Sequence, residues 1–236
     1  MKLLLLFTAV YTFSLVSADE SPPPVATFSI VAVDRLTGEI GVAVQSKIVS
    51  VGSIVPYARA GVGAIATQAL ANPKFGPLGL LLLESGASPE LCIEFFKKGD
   101  PGMESRQVGI VAMDGSAATF TGKDCGDWAG GISGKDFVIQ GNILAGKDVI
   151  TAMAETFEAT EGVLAERMIA ALEAGQQAGG DRRGRQSAAI LIARKNWGYG
   201  GMNDRFRDLR VEEHETPIAE LKRVYLAHRK LFPRPQ

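Results

Sequence analysis

The chain has 236 residues, 46% hydrophobic and 22% charged, with a formal net charge of -1. That length and apolar share suffice for one domain with a sizeable core. The near-zero charge excludes the broad basic field that holds nucleic acid or an anionic membrane.

The chain opens with Lys2 and an apolar run from Leu3 to Val16, then Val16-Ser17-Ala18. A basic start, a short apolar run and small residues at a cleavage point predict a secretory signal over 1–18. The run is short for a membrane span. The mature chain is therefore expected to begin at Asp19, in an extracytoplasmic compartment, either periplasmic or secreted. Residues 19–26 contain Pro22-Pro23-Pro24 and read as an extended spacer. Residues 27–236 read as a single domain.

Thr27–Val33 and Ile40–Gln45 carry the period-two pattern of strands, with Asp34 to Gly38 as the turn between them. An antiparallel hairpin sets Thr27 beside the Gln45-Ser46-Lys47 cluster, and that neighbourhood is the candidate site. Ile48 to Ala60 reads as an irregular connection broken by Gly52 and Pro56. Gly61–Thr67 is a strand of small residues. Leu78–Glu84 is a short helix ended by Gly86. Ser88 caps a second helix, with Pro89 in its first turn and Lys97-Lys98-Gly99 at its end.

Gln107–Met113 and Ala117–Thr121 form a hairpin around Asp114-Gly115. Gly122 to Lys135 is a Gly-rich loop, followed by a strand over Phe137–Gln140. Asp148–Glu158 and Leu164–Ala174 have helical apolar spacing. Ser187–Ala193 and Leu209–Glu212 are strands, and Thr216-Pro217 opens a final helix. Hairpins followed by helix pairs, twice over, predict an α+β chain of antiparallel sheets covered by helices. The two cysteines, Cys92 and Cys125, are either bridged in an oxidising compartment or separate thiols. The cysteines and the two histidines show no metal-ligand spacing, so neither a metal nor a cofactor is expected. His214 and His228 read as surface residues.

From Thr27 to about Arg210 the chain closely resembles a bacterial family, domain of unknown function 1028. The resemblance is carried by TFSIVAVD, GVAVQSK, VGSIVPYARAGVGAIATQA, FVIQGNILAG and GGDRRGRQSAA. That family is grouped with the N-terminal nucleophile (Ntn) hydrolases, which implies a four-layer αββα sandwich. In relatives such as proteasome catalytic subunits a leading Thr attacks and its own α-amine is the base. Thr27 resembles that position. Gln45-Ser46-Lys47 stands where those relatives carry Asp-Ser-Arg. Gly141-Asn142 falls at their oxyanion segment, and Asp181 where an Asp supports the terminus. Two departures are visible: Gln45 is neutral, and between Val55 and Thr67 Arg59 is the only basic residue.

A threonine hydroxyl attacks only when something takes its proton. A free α-amine, with a pKa of about 7.7–8.0, can do this, whereas an amide nitrogen cannot. Thr27 can work this way only after the Ala26–Thr27 bond is cut. The first reading is thus an extracytoplasmic amidohydrolase for a small-molecule or peptide-like substrate. Thr27 is its nucleophile, tuned by Ser46 and Lys47. Asn142 aids the oxyanion, and Asp181 orients the terminus. Gln45, Thr67, Arg182 and Arg185 would line the ligand site. Thr67 reads first as a strand-end cap and only second as a pocket residue, and Asp181 reads equally as a brace paired with Arg182 or Arg185. The second reading is an inactive fold in which the arginine loop binds a small anion. Both readings expect no nucleic acid and no membrane once the signal is removed. Both leave assembly into a homo-oligomer open.

Overall fold

The computed structural model describes residues 27–235. The predicted signal (1–18) and the predicted spacer (19–26) lie outside the described residues. The chain is α+β, with two antiparallel sheets and five α-helices among the described residues. No helix there is long and apolar enough to cross a membrane.

The strands are β1 (Thr27–Asp34), β2 (Glu39–Ser46), β3 (Pro56–Arg59), β4 (Gly63–Ala69), β5 (Arg106–Ala112), β6 (Ala117–Thr121), β7 (Gly130–Gly134), β8 (Phe137–Gly141), β9 (Ser187–Ala193) and β10 (Arg205–Val211). The first sheet runs β10-β9-β2-β1-β8-β7 and the second β3-β4-β5-β6. The helices are α1 (Phe75–Glu84), α2 (Pro89–Gly99), α3 (Asp148–Ala159), α4 (Leu164–Gln177) and α5 (Pro217–Leu231).

Alternation along each strand sorts the core into three clusters. Val31 and Val33 of β1, with Val42 and Val44 of β2, meet Ala64, Ala66 and Val111 of the second sheet. The two sheets therefore face each other. The opposite residues of β1, Phe28, Ile30 and Ala32, pack with Met153, Phe157, Met168 and Leu172 of α3 and α4. On the far side of the second sheet, Ile65, Val108 and Ile110 pack with Phe75, Leu80, Ile93 and Phe96 of α1 and α2. The Phe75 and Phe96 rings stack at 4.2 Å between centroids. With both faces covered, β1 is buried almost throughout, and its polar Thr27 and Ser29 are fully buried as well.

Local signals explain most of the boundaries. Ser88 Oγ accepts a hydrogen bond from the Leu91 N–H at 3.3 Å, and Pro89 follows it in the first turn of α2. α1 begins at Phe75 rather than Leu78. Pro77 lies in its first turn, where a missing N–H costs no helical bond. Gly76 lets this helix lie against β3, since a Cβ there would sit 2.2 Å from the Tyr57 ring.

Two segments differ from expectation. The connection over 48–60 contains β3, and the Gly-rich loop over 122–135 contains β7. Both are edge strands, and they begin at Pro56 and Gly130, residues that weaken any strand pattern. Cys92 and Cys125 are separate, buried thiols. Burial pushes each up to about 11, so both are protonated at neutral pH.

Candidate functional site

β1 and β2 pair in a register that sets Thr27 opposite Ser46, and β9 sets Ser187 opposite Ser46. On the other side β8 sets Gly141 opposite Phe28. The next residue, Asn142, falls beside Thr27, and its backbone N–H donates to the Thr27 carbonyl at 3.0 Å. Ser187, Ser46, Thr27 and Asn142 thus form one row across an end of the first sheet, on the face turned to the second sheet. All four are fully buried. The Thr27 hydroxyl donates to Ser46 Oγ at 3.2 Å. Ser187 Oγ is engaged with backbone, donating to Ile48 O at 2.5 Å and accepting from Val51 N at 3.1 Å.

Facing this row is a set of buried amides that the sequence reading did not single out. Ser29 donates to Gln68 Oε1 at 2.6 Å. Gln68 Nε2 donates to Gln107 Oε1 at 2.8 Å and to the Thr27 carbonyl at 3.3 Å. Gln107 Nε2 donates to Gly141 O at 2.8 Å and to Thr121 Oγ1 at 2.8 Å. Asn142 Nδ2 donates to Gln107 Oε1 at 2.9 Å. A backbone carbonyl can only accept, so Gly141 O fixes the Gln107 amide with its nitrogen toward β8. The Gln107 oxygen must then receive both Gln68 and Asn142. Asn142 is left with its nitrogen on Gln107 and its Oδ1 buried without a partner. Every member of this network is neutral. The signal for it was present in the sequence: ATQA and RQVG each put a glutamine near a strand end.

The loop after α4 closes the same end of the sheet. Gln186 N–H donates to Ser46 O at 3.0 Å. The Asp181 carboxylate accepts from Lys47 N at 3.3 Å, Arg183 N at 2.8 Å and Arg183 Nη2 at 2.9 Å. Asp181 thus braces the end of β2. Its ion-pair partner is Arg183, where the sequence reading expected Arg182 or Arg185. The Asp181 side chain is fully buried, so Asp181→Ala should cost about 2–3 kcal/mol by orphaning those donors. Chemical denaturation of the variant checks this, and a loss under ~0.5 kcal/mol would rule out the bracing role.

The structure brings Thr27, Ser46 and Asn142 together, with Asp181 one residue beyond. It does not bring the other expected residues to Thr27. Gln45 occupies the opposite face of β2 from Ser46, toward α4, with both amide atoms buried and unpartnered. Thr67 faces away from the first sheet. Its hydroxyl donates to Asn72 O at 3.3 Å and accepts from Asn72 N at 3.2 Å, which is the arrangement of a cap. Lys47 is exposed. Arg182 donates to the Asp127 carbonyl. Arg185 lines a separate cavity with Glu173, Gln176 and Pro217. Among the described residues no group of three or more His, Cys, Asp or Glu is placed to hold a metal.

The model of a family described as "Family of unknown function (DUF1028)" matches residues 27–221. The crystal structure of protein SPO2555 from Silicibacter pomeroyi, also assigned to DUF1028, is similar with a TM-score of 0.79 and 30% sequence identity. The similarity covers 86% of this chain and 89% of that one. No curated protein matches the chain.

Proposed function

We propose a function from one premise: the chain belongs to the DUF1028 family, whose function is unknown. On our reading its two facing sheets and flanking helices are a four-layer αββα sandwich of the Ntn type. The activity is extracytoplasmic hydrolysis of a small amide or peptide-like substrate, with Thr27 as nucleophile once residues 1–26 are removed.

The observation that carries this reading is the position of the Thr27 hydroxyl. It stands at the head of the first strand, 3.2 Å from Ser46 Oγ, among neutral amides and hydroxyls. Cutting the Ala26–Thr27 bond would give that setting a titratable base, the α-amine of Thr27 itself. The amine takes the hydroxyl proton as Oγ1 adds to the substrate carbonyl. It then returns the proton to the departing amine, leaving an ester on Thr27. Water hydrolyses the ester by the same route and restores both groups.

The network alters the part expected of Asn142. One of its N–H bonds is engaged by Gln107, and its unpartnered atom is an oxygen. A buried acceptor beside Thr27 suits an N–H of the freed terminus or of the substrate. Ser46 positions the hydroxyl, and Asp181 holds the end of β2. The anion-binding alternative is less favoured, because Arg182 is held by the Asp127 carbonyl, Arg183 by Asp181, and Arg185 opens elsewhere.

The test is intact-mass measurement and N-terminal sequencing of the mature protein. The expected result is a chain starting at Thr27. An amide-cleaving species that starts at Asp19, with Thr27 internal, would overturn the mechanism.

A further inference from the structure

A second feature lies at the other end of the first sheet. Glu39 and Ser46 stand at opposite ends of β2, so the two regions are about 23 Å apart along the strand. There Arg207 of β10 is only 3% exposed. Its guanidinium lies 3.8 Å from the centre of the Phe206 ring. Nη1 is 3.0 Å from His228 Nδ1. A guanidinium only donates, so His228 accepts at Nδ1. Burial, and then the Arg207 charge, push the His228 pKa below its ordinary value. Thus His228 is half-buried and bound to Arg207, where the sequence reading took it for a surface residue.

Arg207 opens on a cavity of about 580 Å³ between β10, the head of α4 and the end of α5. That volume is the size of a small-molecule site. Four cations line it, Arg207, Arg229, Lys230 and Arg234, against two carboxylates, Glu39 and Glu166. Both carboxylates are taken. Glu166 holds Arg229 and the Tyr225 hydroxyl, and Glu39 holds Arg234 at 3.1 Å. Arg207 has no carboxylate within ion-pair distance among the described residues. A buried cation that no carboxylate contacts, with Glu39 acting on it only from a distance, is costly, and an anion entering the cavity lowers that cost. The remaining walls are apolar: Val163, Ala165, Phe206 and Leu226.

We propose that this cavity is a ligand site for a small organic acid, with the carboxylate forked onto Arg207 and the apolar body against Phe206, Val163 and Leu226. The planar guanidinium matches a carboxylate with two parallel N–H···O bonds. Of the two cations left without a carboxylate, Lys230 is exposed and Arg207 is buried, so the buried charge calls for one forked carboxylate. His228 orients the guanidinium from behind by accepting at Nη1.

Octanoate and benzoate are suitable probes, titrated calorimetrically into the full mature chain, with octanol and inorganic phosphate alongside. Saturable binding of a carboxylate is expected, weaker by roughly 30-fold or more in Arg207→Met. Leu226→Trp, which fills the mouth and leaves Arg207 in place, should lose binding too. It keeps the test available if Arg207→Met fails to fold. Thr27→Ala should bind the acids like the parent, which separates this site from the proposed hydrolytic one. The proposal is overturned if neither acid binds, if Arg207→Met and Leu226→Trp bind as the parent does, or if phosphate binds more tightly than either acid.

Discussion

Thr27→Ala should abolish amide hydrolysis while leaving the fold in place. The nucleophilic oxygen is lost, so the expected fall in rate is about 10³-fold or more, the scale on which removing a member of a nucleophile–base unit acts. The structural cost is small by comparison. Thr27 Oγ1 makes a neutral bond to Ser46 at 3.2 Å, worth about 1 kcal/mol. The β1 register rests on backbone pairing that alanine keeps. Thr27→Ser, which keeps a hydroxyl on the same atom path, should retain measurable activity. The measurement is release of a chromophore from a panel of aminoacyl anilides, with the variant's melting temperature as the folding control. An alanine variant as active as the parent would sink the proposal. In the parent the rate should also fall as pH drops below about 7.7–8.0, because a protonated α-amine cannot accept the hydroxyl proton.

The parts of the chain most legible in the sequence are those whose local chemistry agrees with their tertiary setting. Ser88-Pro89 and Lys97-Lys98 bracket a helix on their own, and α2 lies between them. β6 and β9 have the expected limits, Ala117–Thr121 and Ser187–Ala193, because both are short β-prone runs between turn residues. Elements set by long-range pairing were harder to read. β7 is GGISG, which has almost no strand propensity and exists because β8 pairs with it. β10 begins at Arg205 rather than Leu209, since three arginines disguise a strand whose Arg207 is buried.

The candidate site was legible in its centre and misread at its edges, for one geometric reason. In the sequence Gln45-Ser46-Lys47 reads as a cluster, but neighbours on a strand point to opposite faces. Once Thr27 pairs with Ser46, Gln45 must face the helices. The same rule sends Thr67 away from the first sheet and Gln68 toward it. The glutamines were missed because glutamine in a short strand carries no period of its own. Its meaning comes from the other sheet, which brings Gln68 and Gln107 opposite Ser29 and Asn142.

That opposition predicts the largest stability effect in the molecule, at Gln107. Gln107→Leu keeps the volume nearly constant, so little of its cost is a cavity. It removes the acceptor of Gln68 Nε2 and Asn142 Nδ2 and the donor to Gly141 O, all at 2.8–2.9 Å and all buried. Each orphaned buried group costs about 1–3 kcal/mol, and some relief comes from rearrangement, so a loss of about 3–5 kcal/mol is expected. Gln140→Leu is the comparison. Its amide holds only Ala66 O and Thr119 Oγ1, so the loss should be about 1–3 kcal/mol. Urea denaturation midpoints of the two variants give the order. A Gln107→Leu variant within ~1 kcal/mol of the parent would mean that water or side-chain rotation satisfies these groups, and the directional account of Asn142 would fall with it. The double variant Gln68→Leu/Gln107→Leu sharpens the point. Removing both ends of one bond leaves fewer orphans than the single losses added together, so the pair should be less destabilising than their sum. Additive losses would show that the two amides act separately, so that the Gln68–Gln107 bond does not couple the two sheets, whereas the orientation of Asn142 rests on the Gly141 carbonyl and Gln107.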